Sequence, residues 1–304
     1  MKTVKIKKKL KETFSLQNSL FIVLFVVLAL YVVSFVFLFG WGFLTSLKSN
    51  GEFILDKLSF PSNWRFSNYM DVFNAMYVDI TPDGSVDTYR YNAINLIINS
   101  LSYTIGCTFF ATMTPCIVAF CCAKCKYKKI NRIIESAVII VMIVPIIGQT
   151  PARLSIAQTL GWYNQMWGIW IMNIAFTNMY FLIFLAAFKA MDNGYAEAAF
   201  MDGAGWFTIF FKIYLPLIAT TMGAVALLQF IGYWNAYETP MIFIPNQPTL
   251  ALGLFWFKWN SPPGFKGIPY QVVACYILLA PMLLLFIIFR GKLMGNLTMG
   301  GLKG

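Results

Sequence analysis

Leu20–Leu44 reads LFIVLFVVLALYVVSFVFLFGWGFL, a stretch without a single charge. About 20 apolar residues in a helix cross the roughly 30 Å hydrocarbon core of a bilayer, so this segment is long enough to span. A cleaved secretory leader has an apolar core of only about 7–15 residues and a small-residue cleavage site, and neither is present. The segment is expected to remain as a membrane anchor.

Working outward, the same pattern recurs. Charge-free runs extend over 91–123, 136–152, 154–188 (apolar over 166–188), 213–237 and 267–289. With the first segment these predict about six transmembrane helices and an all-α, polytopic membrane protein. A further uncharged stretch, 239–257, holds Pro240, Pro245 and Pro248 with Asn246 and Gln247 among them. Backbone groups freed by proline are costly in lipid, so a loop or re-entrant segment is expected there.

Charge placement predicts the topology. With the N-terminus inside, Lys2, Lys5, Lys7, Lys8, Lys9, Lys11, Lys124, Lys126, Lys128, Lys129, Arg132, Lys189, Lys212, Arg290, Lys292 and Lys303 fall on one side, 16 of the 23 basic residues. Basic residues concentrate in cytoplasmic loops, which places both termini in the cytoplasm. The expected parts are a basic N-terminus over 1–19, a permease domain over 20–289 and a tail over 290–304. Within the domain, 48–92 is extracytoplasmic and carries Glu52, Asp56, Asp71, Asp79, Asp83 and Asp87, with Pro61, Pro82 and Gly84 breaking it into turns.

Composition closes other routes. Hydrophobic residues make up 59% and charged residues 12% of the 304, about half the charge of a soluble domain. There is no histidine, which removes the usual general base and most zinc sites. Cys122 and Cys125 form a lone CxxC without the second pair a zinc site needs, and read as small apolar residues at a helix end. The net charge of +11 sits in short clusters between apolar runs, which fits anionic lipid and not nucleic acid. No phosphate-binding Gly-x4-Gly-Lys-Ser/Thr loop is present, so the chain is not expected to hold ATP or another cofactor itself.

The cytoplasmic segment 190–216 does not read as a simple loop. Asp192, Glu197, Asp202 and Lys212 make it too charged to cross, and Phe200, Met201, Trp206, Phe207, Phe210 and Phe211 make it too apolar for a free loop. Two short helices are expected, over 195–201 and 206–214, with Gly203 and Gly205 between them to supply a positive φ. Pro216 ends the second and redirects the chain. Such an elbow either lies flat on lipid or docks into a partner.

The wording of this elbow carries a resemblance. Glu197-Ala198-Ala199, Gly203, Ile213 and Leu215-Pro216 stand at the spacing of the EAA signature of binding-protein-dependent ABC importer permeases, and Asp202 before Gly203 is also similar to that family. Asn99-Ser100-Leu101 and Trp234-Asn235 with Pro240 are also similar to such permeases, and the tail Leu297–Gly304 is similar to the ending of the second permease subunit of maltose-type carbohydrate importers. Asn296 stands where that family has glycine, the Asp192–Ala196 lead-in differs from it, and Asp79–Asp87 resembles an insertion.

The resemblance implies a type I ABC importer permease fold in a bacterial cell membrane. It also implies a homologous second permease subunit, two ATPase subunits that bind ATP and magnesium, and an extracytoplasmic sugar-binding protein. Glu197, Ala198, Ala199, Asp202, Gly203, Ile213, Leu215 and Pro216 would then couple to the ATPase, with a sugar as the carried solute. Trp234, Asn235, Tyr237 and Glu238 near the outer half of the fifth span are candidates for the translocation path, although Trp and Tyr at a span end also form interfacial belts. A non-sugar solute is the nearest alternative. An ion-coupled secondary transporter would need carboxylates within its spans, and the first, second, fourth and sixth have none.

Overall fold

The structure is a computed structural model that describes residues 2–82, 84–124, 127–144 and 148–294, with side chains described from residue 18 onward except Lys128 and 289–294. Asp83, Cys125, Lys126, Asn296 and the tail Leu297–Gly304 lie outside the described residues, as do the side chains of the basic N-terminal lysines. The chain forms two compact units, one combining Met1–Val72 with Pro263–Ala274 and the other combining Phe73–Pro262 with Cys275–Gly304.

The first unit is built on helix α1 (Lys2–Ser46), whose side chains from Leu20 to Phe39 are almost all exposed, a surface suited to hydrocarbon. Its far end is tied down by polar groups. The buried Lys48 ammonium donates to the Asp56 carbonyl at 3.0 Å and to Ser59 Oγ at 3.2 Å, and Asn68 Nδ2 donates to the Ser46 and Lys48 carbonyls at 2.8 and 2.9 Å. A cation and an amide thus serve carbonyls that a helix C-terminus leaves without partners. Ser49 caps helix α2 (Asn50–Leu55) by accepting from Glu52 N, and helix α3 (Ser67–Ala75) follows.

The second unit opens with an antiparallel hairpin, β1 (Tyr77–Ile80) and β2 (Tyr89–Asn92), where the sequence predicted only turns. Register pairs Asp79 with Arg90, and the guanidinium grips the carboxylate through Nε at 2.8 Å and Nη2 at 2.9 Å while lying 4.0 Å from the centre of the Tyr77 ring. Helix α4 (Ala93–Lys124) then runs through the middle of the unit. Its inward side is built of small and hydroxyl residues, including Ser100, Thr104, Cys107, Thr108, Ala111, Thr112 and Cys116, which let neighbouring helices come close. At Gly106 an added Cβ would fall 2.2 Å from Nε1 of Trp170, whose indole donates to the Ser102 carbonyl.

The chain continues through α5 (Lys128–Ile143), α6 (Gln149–Thr159), α7 (Met166–Met172), α8 (Met179–Lys189), α9 (Gly194–Met201), α10 (Trp206–Ile209), a π-helical turn (Phe210–Tyr214), α11 (Leu215–Leu217), α12 (Ala219–Asn235), α13 (Glu238–Phe243), α14 (Leu250–Asn260) and α15 (Ile268–Met294), of which α5, α7, α8, α12 and α14 pack against α4. Three described helices are long and apolar enough to cross a bilayer: Asn18–Ser46, Ala93–Lys124 and Ile268–Ile288. A fourth arises if Trp206–Leu217 and Ala219–Asn235, bent by 79°, count as one span.

Two of the six predicted spans are not single helices. In 136–152, α5 stops at Ile143 and α6 begins at Gln149 behind Gly148, which has φ +76°. In 166–188, the chain leaves the helix at Asn173 and re-enters at Asn178, whose side chain accepts from Tyr180 N and Phe181 N. Asn173 is held elsewhere, accepting from Tyr233 Oη at 2.7 Å and donating to the Ile169 carbonyl at 2.8 Å. These two amides satisfy the broken backbone, which a break at membrane depth requires.

The stretch 239–257, expected as a loop or re-entrant segment, holds most of α13 and α14 with a turn over 244–249 between them. Between α13 and α14 the chain is fixed by side chains: Asn99 Nδ2 donates to the Pro248 carbonyl at 3.0 Å, Ser100 Oγ accepts from Leu250 N at 2.6 Å, and Asn164 Oδ1 accepts from Asn246 N at 3.0 Å. The Asn99-Ser100 pair noted in the sequence therefore secures this segment to α4.

Candidate functional site

The elbow predicted over 190–216 forms. Asp192 Oδ1 accepts from Gly194 N at 3.0 Å and starts α9, which runs to Met201. The helix ends in a Schellman cap: Gly203 N–H donates to the Phe200 carbonyl at 3.0 Å and Ala204 N–H to the Ala199 carbonyl at 2.9 Å. Gly203 sits at φ +80°, as the cap demands, whereas Gly205 is at φ −81° and begins α10 in extended geometry.

The second half departs from a plain helix for a reason visible in the sequence. Pro216 has no N–H, and its ring would press on the carbonyl of Lys212 in an α-helix. The chain responds with the π turn at Phe210–Tyr214, in which Leu215 N–H donates back to the Phe210 carbonyl. The helix then breaks at Ile218 and turns by 79° into α12.

These turns give the elbow two apolar faces. Ala196, Ala199, Ile209, Phe210 and Tyr214 are buried in the core shared with α4 and α8. Phe120 of α4 is the centre of this packing, with ring centroids 4.9 Å from Phe210, 5.3 Å from Tyr214 and 5.5 Å from Phe188. On the outer face Met201 is 89% and Phe207 78% exposed, with Tyr195, Phe200, Trp206 and Phe211 partly exposed around them. Beside them lies a groove of about 500 Å³ lined by Asp192, Gly194, Tyr195, Ala198, Ala199, Asp202 and Ile213.

The predicted coupling residues are therefore brought together but face different ways. Glu197, Ala198 and Asp202 are exposed, Ile213 and Leu215 are half-buried, and Pro216 is exposed at the bend. Ala199 and Phe210 depart from the sequence reading: both pack mainly into the chain's own core. Asp192 and Tyr195, absent from the predicted set, line the groove; their position just before the Glu-Ala-Ala triplet was the available signal.

The four predicted path residues also separate. Trp234 is only 1% exposed; its indole N–H donates to the Leu278 carbonyl at 2.9 Å and it stacks on Phe230, so it pins α12 to α15. Asn235 is exposed and borders a cavity of about 460 Å³ with Leu227, Ile231, Leu254, Leu278 and Met282. Tyr237 stacks on Phe255 at 4.8 Å, and exposed Glu238 opens α13.

The chain is similar to known proteins over most of its length. It is 24% identical over 263 residues to a diacetylchitobiose uptake system permease protein of Streptomyces coelicolor, covering 86% of this chain and 82% of that one. It is 25% identical over 264 residues to an arabinooligosaccharides transport system permease protein of Bacillus subtilis, covering 86% and 88%. Its fold matches a chain of a bacterial ABC transporter involved in the import of the acidic polysaccharide alginate, with a TM-score of 0.70 at 19% identity over 88% of this chain and 94% of that one. Residues 107–293, which contain the elbow and both sides of its bend, match the family of binding-protein-dependent transport system inner membrane components, and the chain belongs to that family.

Proposed function

We propose that this permease forms half of the translocation path of an ATP-driven oligosaccharide importer and that its elbow receives the ATPase. The observation that carries the reading is the elbow's outer face, where Met201 and Phe207 stand exposed on a rigid, Schellman-capped turn next to Glu197 and Asp202. An apolar patch of this kind suits a protein contact or a lipid surface, and the Glu-Ala-Ala signature beside it favours the protein contact. The carbohydrate class rests on the relatives, whose names refer to diacetylchitobiose and arabinooligosaccharides.

In this reading two ATPase subunits bind ATP and magnesium, a second homologous permease completes the path, and an extracytoplasmic binding protein delivers the sugar. Both termini and the elbow are cytoplasmic, since that orientation keeps most basic residues inside the cell membrane. Asn235, Tyr237 and Glu238 offer an amide, an aromatic face and a carboxylate to the sugar, while Trp234 holds the helices that present them. ATP-driven closure of the ATPases moves the elbow and rocks the helices between inward-open and outward-open states.

The test is the double substitution Met201→Glu and Phe207→Glu in the intact transporter. Both side chains are exposed, so insertion and abundance should be normal. The ATPase should no longer co-purify, and uptake of radiolabelled arabinooligosaccharides or diacetylchitobiose by cells should fall to background. An abundant double variant that keeps its ATPase would overturn the docking role, and a wild-type transporter that takes up neither class would overturn the substrate assignment.

A further inference from the structure

We propose that Lys124 is the joint through which the elbow drives α4, making it a positioning residue for coupling. The inference rests on the reading of the elbow as the ATPase contact. Lys124 is the last residue of α4. Its ammonium donates to the Met191 carbonyl at 2.7 Å and to Asn193 Oδ1 at 2.9 Å, both on the chain entering the elbow. It also lies 5.2 Å from the centre of the Tyr214 ring, on the chain leaving the elbow. The Tyr214 hydroxyl donates in turn to the Asp192 carbonyl at 3.2 Å. One cation therefore binds both ends of the elbow to the end of one membrane helix.

Among the described residues, the other contacts given for the elbow have a different form. The Phe120, Phe188 and Phe210 rings that fill its core make non-directional contacts and can slide over one another. The Lys189–Glu135 pair, at 2.8 Å, clamps α8 to α5 and leaves the elbow free. A hydrogen bond to an ammonium is directional and strengthened by the charge, so a displacement of Met191 and Asn193 has to carry Lys124 with it. The helix that follows is the one around which the second unit is packed. The apolar core holds the elbow in place, and Lys124 sets its register against α4.

The experiment uses the whole transporter with its ATPase, in a cysteine-free background carrying Ile94→Cys. Ile94 is an exposed residue in the first turn of α4, at the far end from Lys124. Maleimide labelling at position 94 is compared between the nucleotide-free and the ATP–vanadate-trapped complex. With Lys124 present the labelling rate should change reproducibly on trapping, because position 94 moves with α4. Lys124→Met keeps an unbranched side chain of similar length without donors; it should retain the ATPase and its hydrolysis yet lose the labelling change. Lys124→Arg, which can donate to the same two oxygens, should restore it.

A merely structural lysine predicts reduced abundance with the labelling change intact in whatever complex survives, and that result would overturn the proposal. An unchanged labelling rate in the trapped wild-type complex would do the same. If Lys124→Met does not accumulate, Asn193→Ala removes one of the two hydrogen bonds from an exposed side chain, and a full labelling change there would count against the joint. Loss of the ATPase from the wild-type complex would instead remove the docking reading, a failure visible before any labelling is done.

Discussion

Replacing Gly203 separates backbone strain from crowding, because the structure gives this position one and not the other. Its φ is +80°, and a Cβ built there meets no atom within 4 Å. The cost of a side chain is thus conformational. For alanine the left-handed region costs roughly 1–2 kcal/mol. For β-branched valine the figure rises to about 2–3 kcal/mol, the upper part of the range for a strained residue. Asparagine tolerates this region and should cost least, although it is larger than alanine. Every 1.4 kcal/mol is a factor of ten, so valine should deplete the capped elbow by roughly 30- to 150-fold. If only the capped elbow docks, apparent ATPase affinity falls by the same factor. The assay is ATPase retention on purification together with sugar uptake, each normalised to permease abundance. The expected order of impairment is Asn, then Ala, then Val, with abundance nearly unchanged because no membrane span is touched. An impairment that follows side-chain volume, with Asn worse than Ala, would refute the strain argument. Normal uptake by an abundant Gly203→Val protein would remove the cap from coupling altogether.

Two further outcomes are expected. Single cysteines at Val86, 98% exposed on the hairpin loop, and at Met201 on the elbow, in a cysteine-free background, should label from opposite sides of the membrane; labelling of both from outside would refute the topology. In the hairpin, hydrogen bonding from the Arg90 guanidinium, reinforced by its charge, holds the Asp79 carboxyl below its ordinary value, so this pair stabilises above an unfolded pKa of about 3.9 and loses that contribution as pH falls through the lower folded value. Amide exchange at Val78 and Tyr91 should be flat from neutral pH down to about 5 after correction for intrinsic rates and speed up in stronger acid. Asp79→Asn should abolish that dependence, and an unaltered acid response would show that the pair does not hold the hairpin.

What the sequence made legible was whatever depends on local composition. Charge-free runs located the membrane segments, because hydrocarbon forbids unpaired charge wherever the chain later bends. They did not reveal the breaks in 136–152 and 166–188. In 166–188 the helix is interrupted between Asn173 and Asn178, and Asn173 is drawn away by Tyr233, 60 residues distant along the chain. The hairpin was hidden for a similar reason: Asp79 and Arg90 form a cross-strand pair only once the register is known, and four-residue strands carry too little alternation to announce it. Trp234 could be read as an interfacial belt or as a path residue, and its actual partner, the Leu278 carbonyl, is 44 residues away. Lys124 entered the sequence reading only as one basic residue among those that set the topology.

The elbow shows why its motif could be found while its faces could not. Phe200, Met201, Trp206, Phe207, Phe210 and Phe211 read together as one apolar surface, yet Phe210 turns into the core and Met201 and Phe207 turn out. Sorting them on a helical wheel assumes 3.6 residues per turn throughout. The positive φ at Gly203 resets the wheel once, between α9 and α10. The π turn at Phe210–Tyr214 resets it again, since a bond from Leu215 to Phe210 places one extra residue in the turn. Both resets have local causes, a glycine that accepts the cap without strain and a proline that cannot donate. A reading that starts a new wheel after Gly203 and widens the turn before Pro216 recovers the two faces from the sequence. Two residues of the EAA signature, Gly203 and Pro216, are therefore those that shape the surface it presents.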